Sequence, residues 1–336
     1  MIYPWMEEAE QQFTQSRAED RLAHATLVSG PLGLGKLDFA RRTSQSLLCL
    51  QNKSLEDLAA AACSCRSCQL LTSGAHPDFR LLTYEENEKT KKMRTELVVD
   101  QVRRLIESMQ LTNSLSPCKV ALVHPAEAMN RSTANALLKT LEEPPGDAAL
   151  FLVSHDPARL TPTIRSRCQS IHVRIPDRTV AHEWLQQQGV LDGELASRAL
   201  QASAGSPLVA LQMIEDGRAE QYLAVDTLLD RVQQDENSIA EVIDACSAFE
   251  PHDLWTWLSL ITAHRVRGGF GAHRREDAEA SKAVAVAAHP GSMGRITALS
   301  RLQSQADRNR LLMSTQLRKD LLLRDWLIQW ARTARS

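Results

Sequence analysis

The chain has 336 residues, 43% hydrophobic and 24% charged, with a formal net charge of −2. These values suit a soluble globular protein too long for one ordinary core, so two or three domains are expected. The near-neutral charge gives no global basic field of the kind that marks a nucleic-acid binder working alone, and the absence of an apolar run of about 18 residues gives no membrane span. The first residues, MIYPWMEEAEQQ, are acidic and lack the apolar stretch of a secretory signal, so a cytoplasmic location is expected. Aromatic residues are few, while Leu and Ala recur throughout, which favours helices.

Ala25–Ser29 is a short, apolar, β-leaning run. It leads into Gly30-Pro31-Leu32-Gly33-Leu34-Gly35-Lys36-Leu37 and then a helical pattern over Asp38–Leu50. Strand, glycine loop and helix are the setting of a phosphate-binding loop, G-x-x-x-x-G-K-[ST]. In such a loop backbone N–H groups cradle phosphates, the lysine reaches the β- and γ-phosphates, and the hydroxyl ligates Mg²⁺. Gly30, Gly33, Gly35 and Lys36 are therefore the candidate nucleotide-binding residues. Leu37 stands where the hydroxyl belongs, and an alkyl side chain cannot coordinate a cation that demands oxygen.

Cys49, Cys63, Cys65 and Cys68 cluster next. In a cytosolic chain such a cluster suggests a metal rather than disulfides. Four thiolates around tetrahedral Zn²⁺ would clip an excursion over residues 49–68, with no open coordination position and hence a structural role. The spacing C-x₁₃-C-x-C-x₂-C is less regular than paired C-x₂-C motifs, and a loop of free thiols is the plainer alternative. Cys118, Cys168 and Cys246 are isolated and read as small packing residues. Residues 85–96 form a charged, apolar-poor loop, and Val99–Met109 reads as a helix.

Lys119–His124 is a second apolar strand. A nucleotide hydrolase places an acid at the end of such a neighbouring strand to hold Mg²⁺, often followed by a glutamate that activates water. Here the positions are His124 and Pro125, and Glu127 comes three residues late, where a helix-cap or surface role explains it better than a relocated base. Ser132–Glu143 reads as a helix that stops before Pro144-Pro145. Ala136, Leu137, Leu138 and Leu141 give it a packing face, and Lys139 and Glu143 form an i,i+4 pair in the weaker order. Ala149–Ser154 is a third strand. Buried strands alternating with helices imply a parallel sheet covered on both faces.

After Pro176 the composition shifts. Short helices broken at Gly189, Gly193 and Gly205-Ser206-Pro207 run to about Arg218, and an almost wholly helical stretch follows, with breaks expected at Gly268-Gly269 and His289-Pro290-Gly291. A last helix over about Asp307–Arg332 places Leu311, Met313, Leu317, Leu321, Trp326 and Trp330 at helical spacing, a packing stripe.

Asn135-Ala136-Leu137-Leu138-Lys139-Thr140-Leu141-Glu142-Glu143-Pro144-Pro145 carries a resemblance, as do Leu22-Ala23-His24-Ala25, the cysteine cluster, Gly74-x-His76-Pro77-Asp78, Val99-Asp100-Gln101-Val102-Arg103 and Ser166-Arg167-Cys168. In this order and spacing they make the chain resemble the clamp-loader branch of the AAA+ ATPases. The resemblance implies a RecA-like α/β AAA+ domain with a parallel sheet (residues 1–172, carrying the zinc-module insertion), a small helical lid (173–214) and an all-α collar for oligomerisation (215–336). It implies a pentameric ring with tau/gamma-type motor subunits and a delta subunit, which loads a sliding clamp on primer-template DNA. Within the family, motor subunits hydrolyse ATP and stator subunits carry degraded nucleotide sites. Leu37, His124, Pro125 and Leu208, the last where a motor subunit carries a sensor arginine, fit a stator with no ATPase of its own.

The family's Ser-Arg-Cys arginine reaches across the subunit interface to the γ-phosphate held by a neighbour, so the resemblance makes Arg167 a catalytic residue in trans. A guanidinium suits that task, being always charged, planar and bidentate toward phosphate. Two departures stand out: the family usually spaces its last three cysteines C-x₂-C-x₂-C, and many stator relatives lack the Gly35-Lys36 pair. Two other classes compete. One is an autonomous AAA+ ATPase acting on DNA or protein through Lys36 and a shifted Glu127, and the other is a zinc-stabilised DNA-binding protein, against which the net charge and the lack of an aromatic-basic stripe weigh.

Overall fold

A computed structural model of the chain describes residues 3–19, 21–87, 91–280, 290–313 and 318–333. The chain divides into two compact units, Met1–Trp184 and Leu185–Ser336. The first is built on five parallel strands: β1 (Ala25–Ser29), β2 (Phe79–Leu82), β3 (Lys119–Val123), β4 (Ala148–Ser154) and β5 (Gln169–His172), in the spatial order β2-β3-β4-β1-β5. Every residue of β1 and β3 is buried, because helices cover both faces.

Alternation along each strand divides the core. Leu27, Ala121, Val123, Leu150 and Leu152 face one layer, which contains α5 (Val99–Gln110) and α6 (Arg131–Glu142) through Val102, Leu105, Leu137 and Leu141. Val28, Val120, Leu122, Phe151 and Val153 face the other, where Phe13 of α1 (Glu7–Ala18) and Phe39 of α2 (Lys36–Leu48) pack. Short helices α3 (Leu55–Ala60) and α4 (Arg66–Thr72) follow α2 and carry the cysteine excursion, and α7 (Pro162–Arg165) connects β4 to β5. The three strands expected from sequence stand within one residue of their observed ends. The edge strands β2 and β5, and α1, had not been expected.

Asp78, just before β2, organises the loop ahead of β3. Its buried carboxylate accepts the backbone N–H groups of Ser114, Leu115 and Ser116 and lies 3.6 Å from Lys119 Nζ. Those donors and the nearby ammonium hold the carboxyl below its usual range despite burial. The Gly74-x-His76-Pro77-Asp78 motif is thus a structural pin.

α8 (Arg178–Gln187) leads into the second unit, which is helical throughout its described residues: α9 (Gly193–Ala202), α10 (Pro207–Glu215), α11 (Arg218–Gln234), α12 (Ile239–Cys246), α13 (Pro251–Ala280), α14 (Pro290–Leu312) and α15 (Lys319–Arg332). Two expectations need correction. The helix α13 runs through Gly268-Gly269 without a break, since glycine lowers helix stability by about 1 kcal/mol against alanine but does not end a helix. The single helix expected over 307–332 is two, ending at Leu312 and starting again at Lys319 behind an extended Arg318. Leu317 and His289 lie outside the described residues.

Of the expected packing stripe the two tryptophans are buried, whereas Leu321 is 50% exposed and the Leu311 side chain lies outside the described residues. Trp326 and Trp330 are fully buried and stacked at 5.3 Å, and Trp255 meets Trp326 edge-on. Their indole N–H groups donate to Leu302 O and Leu229 O. Arg265 lies over the Trp330 ring and pairs with Asp226 and Asp230.

Candidate functional site

The glycine loop leaves β1 and turns into α2, as its sequence predicts. Gly30 has φ +145°, and a Cβ there would meet Val173 O at 2.1 Å. Gly35 has φ +78°, and a Cβ there would meet the Tyr3 ring at 2.2 Å. Both positions require glycine. The ring of Tyr3 therefore lies directly over the loop where it enters the helix. Its hydroxyl donates to Asp38 Oδ2 at 2.8 Å, and burial together with that carboxylate pushes the phenol up to about 12. Tyr3 stacks on Trp5 at 5.3 Å, both rings meet Trp184 edge-on, and the Trp5 indole donates to Leu34 O. This aromatic cap was missed in the sequence, because aromatics at positions 3, 5 and 184 carry no joint pattern before the chain folds.

Under the cap, Lys36 is 2% exposed. Its ammonium donates back to Pro31 O of its own loop. Burial pushes its pKa down to about 8, with the Glu127 carboxylate opposing. Leu37 packs against the apolar layer of Phe13 and Phe39, so the position that carries a metal-ligating hydroxyl in active loops is spent on the core.

At the neighbouring strand ends, where a hydrolase keeps its acid, stand two histidines. His124 follows β3 and His155 follows β4, with their Nε2 atoms 3.2 Å apart. Burial holds both below the usual histidine pKa, and Lys36 adds to this. Two neutral imidazoles and an ammonium make a poor seat for Mg²⁺, which prefers carboxylates and phosphate oxygens. Glu127, the one acid nearby that the sequence suggested as a base, accepts the backbone N–H of His155 at 3.0 Å. It closes the end of β4, which is neither the helix cap nor the surface role expected of it.

Arg167 sits elsewhere, after α7 in the turn that enters β5. Its Nη2 pairs with Glu142 Oε1 at 2.6 Å, its Nη1 donates to Thr163 O at 3.1 Å, and its side chain is 35% exposed. Cys168 beside it packs into the α5–α6 layer, and burial pushes its thiol up to about 11. Arg159 and Arg165 are exposed.

The structure brings all four clustered cysteines together. Their sulfur atoms lie within 4.8 Å of one another, with Cys49 3.7 Å from Cys63 and 3.9 Å from Cys65. A tetrahedron with Zn–S bonds of about 2.3 Å has edges of about 3.8 Å, so this group could hold zinc. The short Cys63–Cys65 spacing does not disturb the set, because Cys65 turns as the N-cap of α4 and receives the Cys68 N–H.

The family described as DNA polymerase III, delta subunit, matches residues 5–177. DNA polymerase III subunit delta' of Pseudomonas aeruginosa is 35% identical over 98% of this chain and 97% of its own length. The chain belongs to the DNA polymerase III delta' family. Subunit delta' of Escherichia coli is 29% identical over 97% of this chain and 94% of its length. The subunit tau/gamma of Haemophilus influenzae is similar over a shorter stretch, 30% identical over 60% of this chain. The glycine loop, the histidine pair and Arg167 all lie within the part that the family matches. This chain thus keeps the glycine bends of a phosphate-binding loop, while Lys36 bonds within the loop, Leu37 packs against the core, and histidines stand at the two strand ends.

Proposed function

We propose that this chain is the non-hydrolysing stator of a replicative clamp loader and lends Arg167 to the ATP site of a neighbouring motor subunit. Its delta' relatives support the coarser statement, that it is a clamp-loader component. The observation that carries the finer reading is the retraction of the loop's own chemistry. Lys36 donates to Pro31 O, Leu37 packs half-buried against the core, and Tyr3 covers Gly35. An ATPase working through Lys36 and Glu127 would need both groups free, and one oxygen of Glu127 is bonded to the His155 backbone.

In this reading the partners are tau/gamma-type motor subunits and a delta subunit in a pentameric ring, with the sliding clamp and primer-template DNA met through the complex in the cytoplasm. The chain works as three parts, a nucleotide-site domain over 1–172, a lid over 173–214 and a collar over 215–336. No helix among the described residues is long and apolar enough to cross a membrane. Arg167 is the catalytic residue, acting in trans, and a finger of this kind contributes roughly 10³–10⁵ in rate to phosphoryl transfer. Cys49, Cys63, Cys65 and Cys68 hold a structural zinc, which fixes the excursion between α2 and α4 and takes no part in chemistry.

Two measurements on the purified chain test this. Mg²⁺-dependent ATP hydrolysis is expected at background and unchanged by Lys36→Ala; robust turnover that Lys36→Ala abolishes overturns the stator reading. Metal analysis is expected to give one zinc per chain, lost in Cys68→Ser together with thermal stability. A metal-free wild-type chain, purified without chelator and just as stable, removes the zinc.

A further inference from the structure

We propose that Glu142 is the positioning residue for Arg167, fixing the plane of the guanidinium that this chain offers to its neighbour. The proposal rests on the reading of Arg167 as a donated finger. An arginine carries five N–H donors in one plane. Here Nη2 lies 2.6 Å from Glu142 Oε1 as an ion pair, and one donor on Nη1 goes to Thr163 O. Anchors on two different nitrogens fix both the direction and the rotation of the plane. Only the bond to Thr163 O spends one of the five N–H groups, which leaves enough for a bidentate grip on phosphate oxygens.

The anchor is itself held rigidly. Glu142 is the last residue of α6, whose first turn is capped by the Asn130 side chain and whose Leu137 and Leu141 are buried in the core. Groups mounted on packed helices are placed more sharply than groups on loops. Arg167, by contrast, sits in a turn, so the rigidity comes from Glu142. The position is also one where folding alone would not choose an acid. A carboxylate at a helix C-terminus faces the negative end of the dipole, and a pair this exposed contributes only about 0–1 kcal/mol to stability. A residue with little to add to the fold but a 2.6 Å grip on the finger is suited to orientation.

The test uses the complete complex reconstituted with its motor subunits and measures ATP hydrolysis. Glu142→Ala is expected to lower kcat at the finger-dependent site about tenfold, the scale of a modest misplacement of a catalytic group, with the KM for ATP unchanged. Glu142→Gln, which keeps an acceptor oxygen, is expected to recover part of that loss. The double variant with Arg167→Ala is expected to match Arg167→Ala alone, because Glu142 acts only through Arg167. A purely structural role would add its loss to the double variant and lower the melting temperature. Wild-type or faster rates in Glu142→Ala, beside a slowed Arg167→Ala, overturn the proposal and leave the finger standing. Wild-type rates in Arg167→Ala overturn both.

Discussion

Two regions of the first unit resemble parts of a nucleotide site in their sequence, and the structure treats them in opposite ways. Around the glycine loop Lys36 bonds to its own loop, Leu37 packs against the core, one oxygen of Glu127 takes a backbone N–H, and Tyr3 lies over Gly35. Around Arg167 the guanidinium stays partly exposed, paired with Glu142 and bonded to Thr163 O. The first region keeps the glycine bends with its side chains engaged elsewhere, and the second presents a partly exposed guanidinium. A loop that still bends as a nucleotide loop must keep its glycines, but nothing in the bend requires a hydroxyl at position 37.

The contrast can be broken by substitution on either side. The largest effect is expected at Arg167: Arg167→Lys keeps the charge but loses the planar fork, and should forfeit most of the roughly 10³–10⁵ that a finger supplies, read as single-turnover hydrolysis in the assembled complex. A smaller effect is expected at Lys36. Its pKa is lower folded, at about 8, than its ordinary 10.5, so the folded chain releases this proton first and stability rises with pH between those values. Lys36→Met should stabilise the chain at pH 7 by about 1 kcal/mol or more, with a gain that shrinks as pH passes from about 8 toward 10.5 in chemical denaturation. The smallest is Tyr3→Phe, which removes the hydrogen bond to Asp38 at a cost of about 0.5–1.5 kcal/mol. Because the Tyr3 phenol is raised to about 12, its stabilising contribution is complete below pH 10 and fades as pH rises toward 12; the variant should not show that fade.

What the sequence displayed and what it hid follow from burial. The strands β1, β3 and β4 lie inside the sheet and read as unbroken apolar runs. The edge strands are short and half exposed, with Arg80 in β2 and Gln169 in β5, and resemble loop. The losses at Leu37, His124 and Pro125 were legible because each stands at a fixed offset from a strand end. Tyr3 over Gly35 and Glu142 against Arg167 are tertiary pairs, joined across 32 and 25 positions of chain, and no local pattern announces either. His155 was passed over because only its meeting with His124 gives it meaning. The cysteines were visible as a group, and folding supplied what spacing left open, namely that four unevenly placed sulfurs converge.

Single-turnover ATP hydrolysis by the motor subunits bears most directly on the central claim, measured with no added chain, with the wild-type chain and with the Arg167→Ala chain. The account predicts that the wild-type chain stimulates hydrolysis at one site and that the Arg167→Ala chain assembles equally well but does not stimulate. Equal stimulation by both chains, or ATP turnover by this chain alone, would contradict it.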